Sequence, residues 1–352
     1  MPIVPEGSKV LVTGANGFIS MWVIKTLLEQ GYLVRGAVRS AEKGKRLREY
    51  FAPYVDKVEW VIVEDITKNG AFDEAVKGVS AIEHLASPLT STSDDPDEFI
   101  QPAVLGTVGI LKSALKEGPQ IKRIVITSSI LSVLSTVKSG RRVFNEEDWA
   151  DEFVNLVKEL GSKASGDAKY RASKMLAEKA AWEFVKEHKS EISWDLVTLC
   201  PPLVLGPPLQ DVPTPNDLNI SLKIWFNLIS TEKDDQVLGS THGFIHPKDI
   251  AGAHVLALKK EAAGGHRIIV AGGTTTWQDL RNLIYSLKPQ LYEKGILPRG
   301  NPELQTIVTN IYDTTKSKNI LGLEYKTYAE VIHDTLADFE ARGWLKEPAS
   351  LS

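Results

Sequence analysis

Short apolar runs rich in β-branched residues alternate along the chain with longer segments of helical composition. The apolar runs predict strands at residues 9–13, 33–38, 58–63, 81–85, 123–127, 194–199 and 267–270. The segments between them predict helices at residues 19–30, 97–116, 170–188 and 247–260. Because a repeat of strand, helix and strand packs helices against both faces of a parallel sheet, the pattern predicts an α/β fold.

The pattern of residue types along the chain changes after Leu205. Proline and glycine punctuate residues 206–215, a helical segment follows at 218–230, and the chain is mainly helical from Trp277 onward. This predicts a smaller, mainly helical C-terminal lobe whose pieces are interleaved with the sheet. The predicted division gives the sheet domain residues 1–205 and 242–272, and the lobe residues 206–241 and 273–352.

The composition excludes several classes of function. Of the 352 residues 43% are hydrophobic and 24% charged, and the net charge is −4, so no basic surface for nucleic acid or anionic lipid is expected. The one cysteine, Cys200, excludes an internal disulfide and a thiolate metal cluster, and the seven histidines lack the spacing of a zinc site. No uncharged apolar run reaches membrane-spanning length and no secretion signal is evident, which predicts a soluble, cytoplasmic chain.

A turn with two glycines joins the first predicted strand to the first predicted helix, in the order Thr13-Gly14-Ala15-Asn16-Gly17. Glycines at this point let backbone N–H groups approach a pyrophosphate, and the start of the helix adds partial positive charge. The turn therefore predicts a dinucleotide site. A tight turn that binds nothing is the alternative.

The residues after the second strand carry positive charge. A carboxylate at this point favours NAD, whereas this chain has Arg39, followed by Lys43. A guanidinium suits a 2′-phosphate, so the sequence predicts NADPH, with a solvated basic helix start as the alternative. Asp65, after the third strand, is a candidate acceptor for the adenine amino group or, equally, a cap for the following turn.

Tyr170 and Lys174 are four residues apart and fall on one face of a predicted helix. An ammonium group near a phenol lowers the pKa of the phenol, which makes tyrosine a usable acid near neutral pH. The spacing alone is common on surface helices. Here it follows Ser128 and Ser129 at the carboxyl end of an apolar strand, where α/β sheets bind their ligands. Together these signals favour a catalytic site.

With these motifs the sequence resembles the extended short-chain dehydrogenases/reductases. The matching pieces are VTGANGFI at the glycine turn, VRGAVRS after the second strand, ITSS, YRASK followed by Ala177 and Glu178, and FIHPKDIAGAH at 244–254. The nearest branch is the fungal NADPH-dependent aldehyde and ketone reductases, with plant dihydroflavonol and cinnamoyl-CoA reductases as relatives. The resemblance implies a Rossmann-type doubly wound parallel sheet that binds NADPH, and a lobe that binds the substrate.

The resemblance also implies the catalytic roles. Tyr170 would donate a proton to the carbonyl oxygen of the substrate. Lys174 would bind the nicotinamide ribose and lower the pKa of Tyr170. Ser129 rather than Ser128 would hydrogen-bond the carbonyl oxygen, because the second serine of the pair has that role in this branch.

Further residues would contact the cofactor, either at its phosphates or beside the nicotinamide. The predicted cofactor set is Gly14, Asn16, Gly17, Phe18, Ile19, Arg39, Lys43, Asp65, Ile66, Ala86, Ser87, Pro88, Thr127, Tyr170, Lys174, Pro201, Leu203 and Val204. Cys200 departs from the family pattern, because many relatives have asparagine before this proline, and it is expected to be a small buried hydrophobic residue.

The expected partner is a small-molecule carbonyl substrate in an apolar pocket formed by Ile130, Leu131, Trp225 and Phe226. For the two lobe aromatics, packing within the lobe is an equal alternative. A nucleotide-sugar epimerase or dehydratase that retains NAD is the alternative function, and a non-catalytic NADPH sensor is a third. Arg39 argues against the epimerase, and the complete catalytic set argues against the sensor. No metal is expected, and the sequence predicts no oligomeric state.

Overall fold

The structure, a computed structural model, describes residues 2–87 and 94–347. In these residues the strands are β1 (Lys9–Thr13), β2 (Leu33–Val38), β3 (Val58–Ile62), β4 (Ala81–His84), β5 (Arg123–Thr127), β6 (Arg142–Phe144), β7 (Asp195–Cys200), β8 (Leu203–Val204), β9 (Thr241–Ile245), β10 (Arg267–Ile269), β11 (Gly273–Thr276) and β12 (Asn310–Tyr312). The α-helices are α1 (Phe18–Glu29), α2 (Ala41–Tyr50), α3 (Asp97–Glu117), α4 (Asp151–Leu160), α5 (Gly166–Glu187), α6 (Ile220–Ser230), α7 (Asp235–Leu238), α8 (Pro247–Lys259), α9 (Trp277–Leu287), α10 (Gln290–Glu293) and α11 (Tyr328–Ala341).

The central sheet has seven strands in the order β10-β7-β5-β4-β1-β2-β3, and every neighbouring pair is parallel. This confirms the predicted doubly wound parallel sheet. The strand order reverses between β1 and β4. In sheets of this kind the crevice at the carboxyl ends of two such strands is where ligands bind, so the turns after β1 and β4 mark the place to examine.

Helices cover both faces of this sheet, and alternate strand residues face opposite sides. Val10 and Val12 of β1 pack in one buried cluster with α1 and α8, whereas Leu11 packs in a second cluster with α3 and α5. We call these sides the α8 face and the α5 face. Successive residues at the end of one strand therefore reach two separate environments.

The C-terminal lobe packs on the α8 face. A separate three-stranded sheet has the order β11-β9-β8, and β6 pairs in parallel with β12. Trp225 of α6, Trp277 of α9 and Phe339 of α11 belong to the same buried cluster as α1 and α8. The core of the lobe is thus continuous with the core of the α8 face.

Arg281 of α9 is buried and joins α9 to the end of α6. Its Nε and Nη2 donate to the carbonyl oxygen of Leu228 at 3.1 and 2.7 Å, and Nη2 also donates to that of Thr231 at 2.6 Å. The last carbonyl groups of a helix have no partner within the helix and carry partial negative charge. The guanidinium supplies both the donors and the opposite charge.

The sequence places most of these elements correctly. β1, β2 and β5 match their predicted bounds at both ends. α5 begins at Gly166, before the predicted start at residue 170, because the Ser165 hydroxyl caps it by accepting from the backbone N–H of Ala168 at 3.2 Å. The sequence patterns do not predict α4 or the short strands β6, β8, β9, β11 and β12. No helix in the described ranges is long and apolar enough to cross a membrane.

Candidate active site

The turn after β1 lies directly against the turn after β4. Gly14 has a φ of +62°, and a Cβ atom there would lie 3.0 Å from Cα of Ala86. Only glycine fits both this backbone conformation and this approach. The Gly17 N–H donates to the carbonyl oxygen of Gly14 at 2.8 Å, and α1 starts at once. The two turns form a backbone cradle at a helix N-terminus to which Gly14 and Gly17 add no side chain, and such a cradle can bind a pyrophosphate.

The Thr13 hydroxyl holds the second half of this cradle. Its oxygen accepts from the backbone N–H groups of Leu85 and Ala86 at 3.1 and 3.0 Å. The hydroxyl has one proton, so its third contact, 3.0 Å to Nδ1 of His84, is a donation. Burial, reinforced by the charge of Lys174, lowers the pKa of His84 to about 3. His84 is therefore neutral, with its proton on Nε2.

The predicted phosphate-binding cations lie at the start of α2. Arg39 is exposed and forms no ion pair with a residue that the structure describes, and Lys43 is half-buried. The Ser40 hydroxyl caps α2 by accepting from the Lys43 N–H at 3.4 Å. An unpaired guanidinium beside a helix N-terminus can receive a phosphate dianion.

Asp65 is engaged in a turn of its own. One carboxylate oxygen accepts from the backbone N–H and the hydroxyl of Thr67, at 2.9 and 2.7 Å. These bonds lower the pKa of Asp65, which is exposed. The turn cap that the sequence offered as the alternative is therefore present. A contact of Asp65 with adenine stays a prediction.

Other predicted cofactor residues sit around this cradle in different ways. The Phe18 side chain is buried in the core, so only its backbone can face a ligand, whereas Asn16 is exposed and Ile19 half-buried. The Asn16 carbonyl accepts from Nε2 of Gln210, a lobe residue, at 3.2 Å. Ile66 packs against Gly106 of α3. Pro88 lies outside the described residues.

Three residues at the end of β5 have distinct surroundings. Thr127 Oγ1 hydrogen-bonds Nε2 of His254 on the α8 face, at 3.0 Å. Ser128 is buried and donates to Oε2 of Glu178 on the α5 face, at 2.6 Å. Ser129 is half-buried, and its oxygen accepts from the backbone N–H of Leu131 at 3.1 Å. Ser129 therefore keeps its own proton available to donate, whereas Ser128 does not.

Tyr170 and Lys174 lie on one face of α5, in its first half, and both side chains are half-buried. Nζ of Lys174 lies 5.7 Å from the centroid of the Tyr170 ring and donates to the Ser87 hydroxyl at 2.9 Å. The turn that Ser129 begins, Ile130–Ser132, packs against α5. The structure thus brings the predicted catalytic set to the cradle formed by the turns after β1 and β4.

Behind the catalytic set lies a buried ion pair that the sequence analysis does not assign. Glu178 of α5 and Arg267 of β10 are joined by Nε to Oε1 at 2.7 Å, with both side chains buried. Burial opposes the charge of the carboxylate, but Arg267 and the serine hydroxyls outweigh it and lower the pKa of Glu178. The sequence signal was present, since Glu178 follows Lys174 by one helical turn, but its partners are far away in the chain.

The segment after β7 borders the serine turn through its backbone. The carbonyl oxygen of Pro201 accepts from the N–H of Ile130 at 2.9 Å, and Leu203 and Val204 form β8. Cys200 is fully buried, and burial raises the pKa of its thiol to about 12. The thiol is therefore protonated and unreactive, as a small apolar residue would be.

The structure does not bring together the two halves of the predicted substrate pocket. Trp225 is fully buried, and both it and Phe226 pack on Phe339, with ring centroids 5.9 and 5.4 Å apart. This is the packing alternative. Ile130 and Leu131 belong to a separate cluster.

The residue that reaches this separate cluster from the C-terminal part of the chain is Tyr312 of β12, which the sequence analysis missed. Its ring lies over Gly243, where a Cβ atom would be 2.2 Å from the ring and 2.9 Å from Cβ of Pro202. No sequence signal marks Tyr312, because its strand has only three residues and pairs with the distant β6.

The site as a whole suits proton and hydride chemistry on a small molecule. Lys174 lies beside the Tyr170 ring and donates to Ser87 in the turn after β4, and the turn that Ser129 begins packs against the same helix. Within the described residues, no group of three or more His, Cys, Asp or Glu side chains could hold a metal ion.

Comparisons with known proteins agree with this geometry. The profile of the NAD dependent epimerase/dehydratase family matches residues 10–272. The NADPH-dependent methylglyoxal reductase GRE2 of Saccharomyces cerevisiae is 33% identical, over 95% of this chain and 99% of its own. The cinnamoyl-CoA reductase CAD2 of Medicago truncatula is 32% identical, over 96% and 97%. The crystal structure of yeast methylglyoxal/isovaleraldehyde reductase Gre2 with NADPH matches with a TM-score of 0.82 and 30% identity, covering 95% and 99% of the two chains.

Proposed function

The chain belongs to the NAD dependent epimerase/dehydratase family and is an NADPH-dependent carbonyl reductase, and we propose that Ser129, Tyr170 and Lys174 carry out its reaction. One observation carries the assignment of these roles. The Ser129 hydroxyl, which accepts from Leu131 and donates to no residue that the structure describes, lies on a turn that packs against the helix of Tyr170 and Lys174.

The residues present suit the cofactor. The cradle at Gly14, which a Cβ atom would fill, would hold the pyrophosphate of NADPH with the N–H groups that open α1. Arg39 would pair with the 2′-phosphate, helped by Lys43 and the start of α2. Ser87 and Lys174, which are hydrogen-bonded to each other, would meet the nicotinamide ribose. When bound, NADPH supplies the hydride.

Side chains of the protein then stabilise and neutralise the negative charge that develops on the carbonyl oxygen. Ser129 donates a hydrogen bond to this oxygen, and Tyr170 gives it a proton as the alkoxide develops. The ammonium group of Lys174 stabilises the phenolate that remains. General acid catalysis of this kind contributes about 10²–10⁴ in rate, and a hydrogen bond to a developing oxyanion contributes about 10²–10³.

The proposed substrate is an apolar carbonyl compound, an aldehyde or a ketone. Ile130 and Leu131 would line one wall of its pocket. Tyr312, which packs beside them and has the backbone of Gly243 beneath its ring, would line another. We keep the division into a cofactor domain and a substrate lobe, and a cytoplasmic location, as parts of this proposal.

Turnover of the Tyr170→Phe variant tests the catalytic assignment. The variant keeps the ring and loses only the acid, so we expect NADPH binding to persist while turnover falls by about 10²–10⁴. The measurement is loss of reduced nicotinamide absorbance with a panel of aldehydes, α-keto esters, diketones and aryl ketones. Ser129→Ala should be nearly as damaging. Near-normal turnover of Tyr170→Phe would refute the mechanism. Cofactor that stays bound without net NADPH oxidation in the unmodified protein would indicate an epimerase instead.

Changing Arg39 to Asp tests the cofactor assignment separately. The variant removes the partner of the 2′-phosphate and adds repulsion, which we expect to shift preference from NADPH toward NADH by roughly 2–4 kcal/mol. The Michaelis constants for both cofactors measure this. An unchanged value for NADPH would show that Arg39 is only a solvated surface residue.

A further inference from the structure

We propose that Glu178 is a positioning residue for the reduction, because its carboxylate fixes the Ser129 turn against the helix that carries Tyr170. The inference rests on the function proposed above. Glu178 itself touches neither substrate nor cofactor, since it is buried behind the catalytic face.

The geometry of α5 places Glu178 in line with the proposed catalytic residues. Tyr170, Lys174 and Glu178 follow one another at intervals of four residues, so they lie on one face of the helix. The first two are half-buried at the site, and the third is buried. The same helix face therefore carries Tyr170, the proposed proton donor, at one end and Glu178, the proposed positioning residue, at the other.

The second step is what the carboxylate binds. Oε2 accepts from the hydroxyl groups of Ser128 and Ser132, both at 2.6 Å. These two residues flank Ser129 and the short turn that it begins. The Ser132 N–H also donates to the carbonyl oxygen of Ser129 at 3.0 Å. One carboxylate oxygen thus holds both ends of the turn that presents the Ser129 hydroxyl.

The third step is what holds the carboxylate. Oε1 accepts from the Thr198 hydroxyl and from Nε of Arg267, both at 2.7 Å. Arg267 also donates from Nη2 to Ser132 at 2.8 Å and lies over the Trp149 ring at 3.7 Å. Every lone pair of the carboxylate has a donor. Arg267 donates to both carboxylate oxygens, at 2.7 and 3.2 Å, so the carboxylate stays in place when the Thr198 hydroxyl is removed.

This division of contacts separates a positioning role from a purely structural one. Ser132 and Thr198 each donate one hydroxyl to the same buried carboxylate, but only Ser132 belongs to the catalytic turn. A displacement of about 1 Å at reacting groups can lower a rate about 10²-fold. Loss of the Ser132 contact should therefore affect the reaction, whereas loss of the Thr198 contact should affect stability alone.

The experiment compares Ser132→Ala with Thr198→Val in the full chain. We expect both variants to unfold more easily by a similar amount. We expect kcat of Ser132→Ala to fall about 10- to 100-fold with an unchanged NADPH dissociation constant, and kcat of Thr198→Val to stay at the unmodified value. Glu178→Gln, if it folds, should reproduce the kcat loss, and Glu178→Asp should restore part of it.

The outcomes are distinct from those that test the function itself. Equal kcat values for Ser132→Ala and Thr198→Val, in protein that reduces carbonyls and loses turnover in Tyr170→Phe, would overturn the positioning role and leave the reductase intact. A Tyr170→Phe variant with normal turnover would overturn the proposed mechanism first. A loss of NADPH affinity in Ser132→Ala would also overturn the positioning role, because the defect would then lie in cofactor binding.

Discussion

Two buried carboxylates act on neighbouring residues at the end of β5, from opposite faces of the sheet. On the α5 face, Glu178 binds Ser128 and is surrounded by donors. On the α8 face, Oε2 of Glu83 lies 2.6 Å from Nδ1 of His254, and Nε2 of His254 contacts Thr127. Oε1 of Glu83 has no hydrogen-bond partner among the residues that the structure describes. The period of two along a strand sends Thr127 to one cluster and Ser128 to the other.

The two clusters differ in how they hold charge. Burial opposes the charge of Glu178, but the Arg267 guanidinium and two serine hydroxyl groups outweigh burial and lower the pKa of Glu178. Burial raises the pKa of Glu83, against the pull of the His254 ring. The comparison teaches that burial alone does not set the direction in which the pKa of a carboxyl group shifts. The direction also depends on the number and charge of the donors, and the face with the complete set of donors is the one that carries α5.

Removing the partner of each carboxylate should give the largest contrast. Arg267→Met leaves Glu178 as a buried, unpaired charge, which typically costs about 3–5 kcal/mol of stability. His254→Leu leaves Glu83 able to take up a proton, so the expected cost is smaller, about 1–3 kcal/mol. Denaturant unfolding near neutral pH measures both. Equal losses would mean that both clusters hold full charges.

The stabilising contributions of Glu178 and Glu83 should change with pH in opposite directions. The folded pKa of Glu178 is lowered, so its contribution is present above the ordinary carboxyl pKa and is lost as the pH falls through the folded value. The folded pKa of Glu83 is raised, so its contribution is present below the ordinary value and is lost as the pH rises through the folded one.

Matched Glu→Gln variants measure these two slopes. The stability cost of Glu178→Gln should grow with rising pH at the acidic end, and that of Glu83→Gln should shrink. Each unit of pKa difference corresponds to about 1.4 kcal/mol. Unfolding curves between roughly pH 2 and pH 7, the range that spans lowered, ordinary and raised carboxyl pKa values, supply the data. Slopes of the same sign would contradict the assignment of charge to the two groups.

Replacing a threonine by valine on each face should give the smallest difference in unfolding free energy between the two clusters. Thr198→Val removes a donor to a charged carboxylate, which typically costs about 1.5–3 kcal/mol. Thr127→Val removes a contact with an imidazole, for which about 0.5–1.5 kcal/mol is typical. The two changes are identical in shape, so the difference in unfolding free energy isolates the acceptor. A larger loss at Thr127 would reverse the order of the two clusters.

Local sequence patterns were sufficient to predict the central sheet, the glycine turn and the pair of Tyr170 and Lys174. The buried strands read as continuous apolar runs, and the glycine turn and the Tyr170–Lys174 spacing lie within single segments. α4 was missed because it presents only Val154 and Val157 to the core, within a segment that reads as an acidic loop.

The hydrogen-bond cluster around Glu178 could not be predicted, because it joins residues that are far apart in the chain. Glu178 stands in a recognised motif, yet its role depends on Ser128 and Arg267, which lie 50 and 89 positions away. The place of Tyr312 depends in the same way on the strand pairing of β12 with β6 and on the absence of a side chain at Gly243.

Arg281 has a mechanical consequence for the lobe. Its three hydrogen bonds to the end of α6 join that helix to α9 through a buried guanidinium group. Two helices joined in this way share one opening event, so their amide protons should exchange with solvent at a common free energy. Any motion of the lobe over the sheet edge then carries α6 and α9 as one rigid body, and its bending must occur in the loops on either side of them.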